Sequence, residues 1–217
     1  MCKRVAVVHT TTNSIQEIKQ AFSKAFPDAE LVNIIDDSMV AEVVAHGITP
    51  HLISRLTRYY GICRELGCLA ILNQCTSVVP AAAIAAQSVD IPVFNIDYPM
   101  ACKAAQLGRR IGVVATAPST LKPSFETFVN AAREKYTDRH VTIYFCAGAH
   151  PALFKQGNQS LHDQIVRDVA CKAAKENDVI ALAQCSMASL APALADVGVP
   201  VLTSIESGVA QFRAVLG

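Results

Sequence analysis

Cys75 and Cys185 are the residues whose type and setting most directly imply chemistry in this chain. Leu69-Ala70-Ile71-Leu72-Asn73-Gln74-Cys75-Thr76 and Val179-Ile180-Ala181-Leu182-Ala183-Gln184-Cys185-Ser186 are two versions of one phrase. Each has an apolar run, then a glutamine, a cysteine and a hydroxyl residue. The runs read as doubly buried parallel strands, with the cysteine at the carboxyl end and a helical stretch directly after it. In open parallel sheets, ligands bind beyond the carboxyl ends of the strands. A thiol at a helix N-terminus faces free N–H groups and the positive end of the dipole, which predicts a lowered pKa. The same N–H groups could hold a substrate carboxylate. Two thiols meeting one carbon from opposite sides could remove a proton from one face and return one to the other. Surrounding donors would hold the carbanion as an enediolate. A single strand-end cysteine is ordinarily a packing residue. Two at matched positions favour chemistry, although one of them could be a relic with the other acting alone.

The elements that must position these thiols are also written twice. Arg4-Val5-Ala6-Val7-Val8-His9-Thr10 matches Arg110-Ile111-Gly112-Val113-Val114-Ala115-Thr116, and Asp90-Ile91-Pro92-Val93 matches Gly198-Val199-Pro200-Val201. Arg4 lies 71 residues before Cys75, and Arg110 lies 75 before Cys185. Strands are predicted at about 4–9, 30–35, 68–74, 92–96, 111–116, 140–146, 178–184 and 199–203. Helices are predicted at 13–26, 50–66, 78–88, 98–108, 118–135, 158–177, 187–196 and 206–216. Asn13 or Ser14, Thr49-Pro50 and Pro118-Ser119 mark helix starts. This alternation implies an α/β fold of βαβ units with parallel sheets. Two pseudo-symmetric domains with four-stranded sheets follow, residues 1–97 plus 205–217 and residues 98–204. A single eight-stranded barrel is the alternative. With no Gly/Ser linker near 98–110, the domains are expected to join closely along a crevice.

Composition excludes several classes. Of 217 residues, 52% are hydrophobic and 17% charged, as in a well-cored globular protein. A net charge of +1 and a pI near 7.6 give no support for nucleic acid or an anionic membrane as partner. No apolar run approaches the roughly 18 residues of a membrane span. The opening Met1-Cys2-Lys3-Arg4 and its apolar run end at His9 without a cleavage site, so a cytoplasmic location is expected. The eight cysteines, Cys2, Cys63, Cys68, Cys75, Cys102, Cys146, Cys171 and Cys185, are then expected to be reduced. Cys63, Cys68 and Cys75 are spaced too widely for a usual zinc site, and packing is the better reading of the first two. Cys146 with His150 is a weak metal signal. His9 could serve as a proton partner, but capping of the sheet is its commoner role. No phosphate-loop or dinucleotide motif occurs, so no cofactor is expected. Asp97 and Tyr98 are expected to shape the turn between domains and cap the next helix.

Cys75-Thr76-Ser77, Cys185-Ser186-Met187, His9-Thr10-Thr11-Thr12 and Ala115-Thr116-Ala117-Pro118-Ser119-Thr120 together resemble the aspartate/glutamate/hydantoin racemase superfamily over nearly the whole chain. The superfamily includes racemases without pyridoxal phosphate, arylmalonate decarboxylase and maleate cis-trans isomerase. The resemblance implies two flavodoxin-like domains with the active site between them. It also implies Cys75 and Cys185 as the acid and base, and a hydroxyl loop after the fifth strand that binds the substrate carboxylate. Thr10, Thr11, Asn13, Thr76, Ser77, Thr116, Ser119, Thr120, Ser186 and Met187 are the expected substrate contacts, with no metal.

There are departures from the pattern. Glutamate and aspartate racemases follow the second cysteine with Thr and then His or Glu, where this chain has Ser186-Met187-Ala188. Hydantoin racemases carry Gly-Cys where this chain has Gln74-Cys75 and Gln184-Cys185. The decarboxylase and the isomerase have a tyrosine in the loop where Ser119 stands. The expectation is a cofactor-independent racemase or epimerase acting on a small carboxylate, an amino acid or a hydantoin-like molecule. The alternatives are a malonate-type decarboxylase or maleate-type isomerase and, less favoured, a non-catalytic two-lobed binding protein. A homo-oligomer is compatible with the sequence.

Overall fold

Two β-branched runs, Lys3–His9 (β1) and Arg110–Ala115 (β5), form the spines of two separate parallel sheets in the computed structural model, which describes residues 3–217. Met1 and the Cys2 thiol lie outside the described residues. The chain divides into two compact units, one running to Ile96 and including Ile205–Gly217, the other Asp97–Ser204. The separate sheets replace the eight-stranded barrel weighed above.

In the first unit β1 is flanked by Ala29–Ile35 (β2) and Ile71–Asn73 (β3), and Val93–Asn95 (β4) completes the order β2-β1-β3-β4. All pairs are parallel. The helices are Ile15–Ala25 (α1), Met39–His46 (α2), Pro50–Glu65 (α3) and Val79–Ala85 (α4). Strand alternation sends Ala6, Val8 and Ile71 into one cluster with Leu52, Leu56, Tyr60 and Cys63. Phe22 of α1 meets Phe212 edge-on at 5.8 Å, and Phe94 of β4 meets it at 5.9 Å, so the C-terminal segment is part of this unit's core. Thr49 caps α3 by accepting the Leu52 N–H at 3.1 Å.

The second unit repeats the order as β6-β5-β7-β8, with His140–Phe145 (β6), Val179–Leu182 (β7) and Val201–Leu202 (β8). Its helices are Tyr98–Leu107 (α5), Pro118–Arg133 (α6), Ala149–Phe154 (α7) and Gln159–Ala174 (α8). Ile111, Val113 and Ala115 face a cluster with Met100, Ala104 and Phe128. Val114, Ile180 and Leu182 face the opposite cluster with Val166, Ala170 and Ala173. β5 and β7 are therefore buried on both faces, as their unbroken apolar runs imply, while the edge strand β6 is partly exposed.

Several expectations need correction. The stretch 187–196 is not one helix but two 3₁₀ turns, Cys185–Leu190 and Pro192–Leu194, the second starting at a proline that has no N–H to continue a ladder. The last helix is broken into Ile205–Ala210 (α9) and Arg213–Leu216 (α10). Asp97 stands at the N-cap of α5 but makes no side-chain cap bond. Helices α2 and α7 fill stretches in which no helix was predicted.

The two halves also differ by one residue in register. Val8 pairs with Asn73, two residues before Cys75. Its counterpart Val114 pairs with Leu182, three residues before Cys185. The second half therefore carries one extra residue between strand and cysteine, which matching the two phrases in sequence conceals.

Gly208 of α9 lies against β4's exit. A Cβ built there falls 2.5 Å from Ile96 Cγ1 and 2.9 Å from its carbonyl oxygen. Gly208→Ala should therefore lower the unfolding free energy by about 1–3 kcal/mol through overpacking, measured as a reduced urea midpoint at unchanged slope.

Candidate active site

In the first unit, β1 and β3 are parallel neighbours, so the loops leaving their carboxyl ends emerge side by side. The β1 loop carries Thr10 to Ser14, and the β3 loop carries Gln74 to Ser77. Cys75 has extended backbone and half-buried exposure, and a short 3₁₀ turn, Thr76–Val78, leads from it into α4. The hydroxyls of Thr10 and Ser77 and the backbone N–H groups of Ser77 and Val78 surround its sulfur, each favouring the thiolate. Thr10 Oγ1 is itself buried and has no other hydrogen-bond partner to hold it. Burial outweighs these donors, and the Cys75 pKa lies above the ordinary thiol value. The lowered pKa expected from the helix N-terminus is therefore overturned in direction. A three-residue turn supplies two N–H groups, and these do not offset the loss of water around a buried thiolate.

The loops are tied together by side chains. Asn73 Nδ2 donates to the Cys75 carbonyl at 3.0 Å. Gln74 is buried, and its Nε2 donates to Ser14 Oγ at 2.9 Å. Ser14 occupies the N-cap position of α1 but makes no cap bond with its side chain. Thr76 and Ser77 are buried, Thr11 is half-buried and Asn13 is exposed. His9 is fully buried, its Nε2 2.9 Å from Asn33 Oδ1 on β2, and burial lowers its pKa. It is a neutral sheet residue bonded to the neighbouring strand.

The second unit builds the corresponding face from the loops after β5 and β7. Cys185 Sγ lies 3.6 Å from Ser204 Oγ, just beyond β8. Gln184 Oε1 accepts the Thr116 N–H at 3.0 Å and lies 3.5 Å from the Thr116 hydroxyl, while Gln184 Nε2 donates to Thr120 Oγ1. Thr120 in turn donates to the Ala117 carbonyl at 2.7 Å. Thr116 and Thr120 are buried, and Ser119 and Ser186 are half-exposed. Met187, expected to touch substrate, is fully buried in the apolar cluster with Val166, Ala170 and Leu190.

Ser204 and Asn73 were not singled out by sequence reasoning, nor was the bonding of the two glutamines to Ser14, Thr116 and Thr120. The signal for Ser204 was its place one residue beyond the Val199-Pro200-Val201-Leu202-Thr203 run, at the end of a strand beside β7. Among the described residues no group of three or more His, Cys, Asp or Glu side chains could hold a metal ion. Cys63, Cys68 and Cys146 are core residues. No helix is long and apolar enough to cross a membrane among the described residues.

Paired four-stranded parallel units with a thiol after the third strand of each point to one class of enzyme. A family model for Asp/Glu/Hydantoin racemase matches residues 5–212. The chain belongs to the Asp/Glu/Hydantoin racemase family and is by that membership an isomerase. Its fold is similar to a glutamate racemase from Bacillus anthracis, with TM-score 0.72 and 17% identity, covering 99% of this chain and 81% of that one. It is similar to an allantoin racemase from Klebsiella pneumoniae, with TM-score 0.69 and 20% identity, covering 99% and 87%. An aspartate racemase from Picrophilus torridus gives TM-score 0.72 at 14% identity, covering 99% and 94%. At these identities the likeness is one of fold. No match was found among curated protein sequences.

The raised Cys75 pKa predicts that its alkylation by iodoacetamide is slow at pH 7 and accelerates with a midpoint above about 8.5, the ordinary thiol value. Thr10→Val removes a donor to the thiolate and should move that midpoint higher still, as read by peptide mapping of the labelled protein.

Proposed function

We propose that this protein is a cofactor-independent racemase or epimerase that moves a proton at the α-carbon of a small carboxylate or carboxylate-like molecule, with Cys75 and Cys185 as acid and base. The observation that carries the reading is the equivalence of the two thiols. Each follows the third strand of its own sheet, each is preceded by a glutamine bonded to the loop after the first strand, and each has a hydroxyl neighbour, Thr10 at Cys75 and Ser204 at Cys185. In the forward step one cysteine, as thiolate, takes the Cα proton and becomes a thiol. The other thiol donates its proton to the opposite face and becomes a thiolate, so charge and protons balance over one turnover. The enediolate between these steps carries its charge on the carboxylate oxygens, where N–H and O–H donors stabilise it.

The expected contacts Thr10, Thr11, Asn13, Thr76, Ser77, Thr116, Ser119, Thr120 and Ser186 are all neutral. A substrate held by one carboxylate, or by the imide carbonyls of a hydantoin-like ring, suits such a set. A second carboxylate would call for a cation, and for this reason an amino acid with a neutral side chain or a hydantoin-like molecule is preferred over glutamate or aspartate. The protein named in one structural likeness is an allantoin racemase, whose substrate name is in keeping with the second of these.

The reading is tested by following loss of Cα–H signal in deuterium oxide over a panel of amino acids, hydantoins, 2-substituted malonates and short diacids. Exchange with racemisation is expected for one of the first two groups. Cys75→Ala and Cys185→Ala should each lower racemisation by at least about 10³-fold, since each removes the only proton carrier on one face. Full activity in either variant would eliminate the two-thiol mechanism. Carbon dioxide release from a malonate, surviving Cys75→Ala, would instead identify the one-thiol decarboxylase chemistry.

A further inference from the structure

The two cysteines are not the only residues repeated at the strand ends, for a glutamine stands directly before each. Gln74 Nε2 donates to Ser14 Oγ, 60 residues earlier in the chain. Gln184 Nε2 donates to Thr120 Oγ1, 64 residues earlier. Ser14 lies five residues beyond the end of β1, and Thr120 lies five beyond the end of β5, so these hydroxyls are counterparts. Gln184 has a second hold, because its Oε1 accepts the Thr116 N–H at 3.0 Å. Thr116 is the counterpart of Thr10, whose hydroxyl faces the Cys75 sulfur.

The bond has survived a change in its own framework. The second half has one more residue between its strand and its cysteine, as the pairings Val8 with Asn73 and Val114 with Leu182 require. A shift of one residue along a strand sends a side chain to the opposite face. The extra residue is taken up after β7, and the glutamine still reaches the hydroxyl of the preceding loop. A packing contact of no consequence has no reason to be restored in this way. Both ends of a carboxamide are needed at Gln184, since one end donates to Thr120 and the other accepts from Thr116. Neither a carboxylate nor a hydrocarbon of the same size can do both.

We infer that Gln74 and Gln184 are positioning residues that lock each thiol-bearing loop to the hydroxyl-bearing loop of the adjacent strand, fixing the donors around the sulfur. The glutamines act through these loops rather than on the reacting atoms. The role in turnover rests on the proposed racemase reading, whereas the role at the thiol does not. A displacement of the donors by an ångström weakens a reacting geometry without unfolding the chain.

The test compares Gln184→Leu, Thr120→Val and the double variant in the full-length protein, with Thr120→Ser as the conservative control. Iodoacetamide labelling of Cys185, followed by peptide mapping across pH, needs no substrate. Gln184→Leu and Thr120→Val should each shift the Cys185 midpoint by about half a pH unit or more, as the loop that carries the thiol is released from its anchor. Labelling of Cys102 and Cys171 should be unchanged, and Thr120→Ser, which keeps the hydroxyl that Gln184 bonds, should keep the parent's Cys185 midpoint. With a substrate in hand, Gln184→Leu should lower kcat by about 10–100-fold with KM within about threefold. The double variant should be no more than about threefold worse than the poorer single one, because both break one bond. Unchanged Cys185 labelling in both variants, or effects that multiply in the double variant, would overturn the assignment. If the labelling shifts appear but no molecule is racemised, the positioning role stands and the racemase reading fails.

Discussion

The parallel pairing of β1 with β3, and of β5 with β7, is the constraint on which the rest of the molecule depends. Parallel neighbours deliver their outgoing loops to the same edge of a sheet. That brings residues some 60 positions apart, such as Ser14 and Gln74, within one hydrogen bond. The pairing itself rests on burial of both strand faces, in the clusters around Tyr60 and Phe212 in one unit and around Phe128 and Val166 in the other. Local preferences then act within this frame. The cysteine loops need no glycine at a positive φ, because Cys75 and Gln184 sit in ordinary extended conformations.

Competition between burial and hydrogen bonding decides how each group behaves at the sheet edge. Cys75 is surrounded by donors yet held as a thiol, because the low-polarity surroundings act more strongly on the charged form than two N–H groups and two hydroxyls do. His9 goes further in the same direction and is wholly internal, with one ring nitrogen facing Asn33. The histidine therefore contributes to the order of β1 and β2 rather than to proton traffic. In the second unit Cys185 has a hydroxyl neighbour, Ser204, from β8's exit, a partner for which the first unit's counterpart, Ile96, offers no equivalent.

Much of the fold was legible in the sequence because the central strands are short, apolar and buried on both faces. Lys3–His9 and Arg110–Ala115 fall within a residue of expectation, and α3 starts at its expected Thr49-Pro50 cap. The family was legible through the duplicated cysteine phrases and the hydroxyl loop after β5. Three features were not. The one-residue register difference is a property of pairing between β5 and β7, which a match of the two phrases cannot carry. The glutamines looked like departures from a Gly-Cys pattern, since their partners, Ser14 and Thr120, are set by tertiary contact. The direction of the Cys75 pKa depends on how deeply the sulfur is buried against how many donors the short 3₁₀ turn provides, a comparison of magnitudes rather than of residue types.

The two glutamines are alike in position and unlike in how much they hold, for Gln184 grips both Thr116 and Thr120 while Gln74 grips Ser14. For mirror-image molecules with one stereocentre, the solution equilibrium constant is unity, whatever the enzyme. On the proposed chemistry, kcat/KM must then be the same for both enantiomers, and no difference between the halves can change that. The inequality can appear in only one way, as a matched scaling of kcat and KM together. The enantiomer bound more tightly must also turn over more slowly, so the asymmetry of the two loops sets a preferred resting complex and not a preferred product.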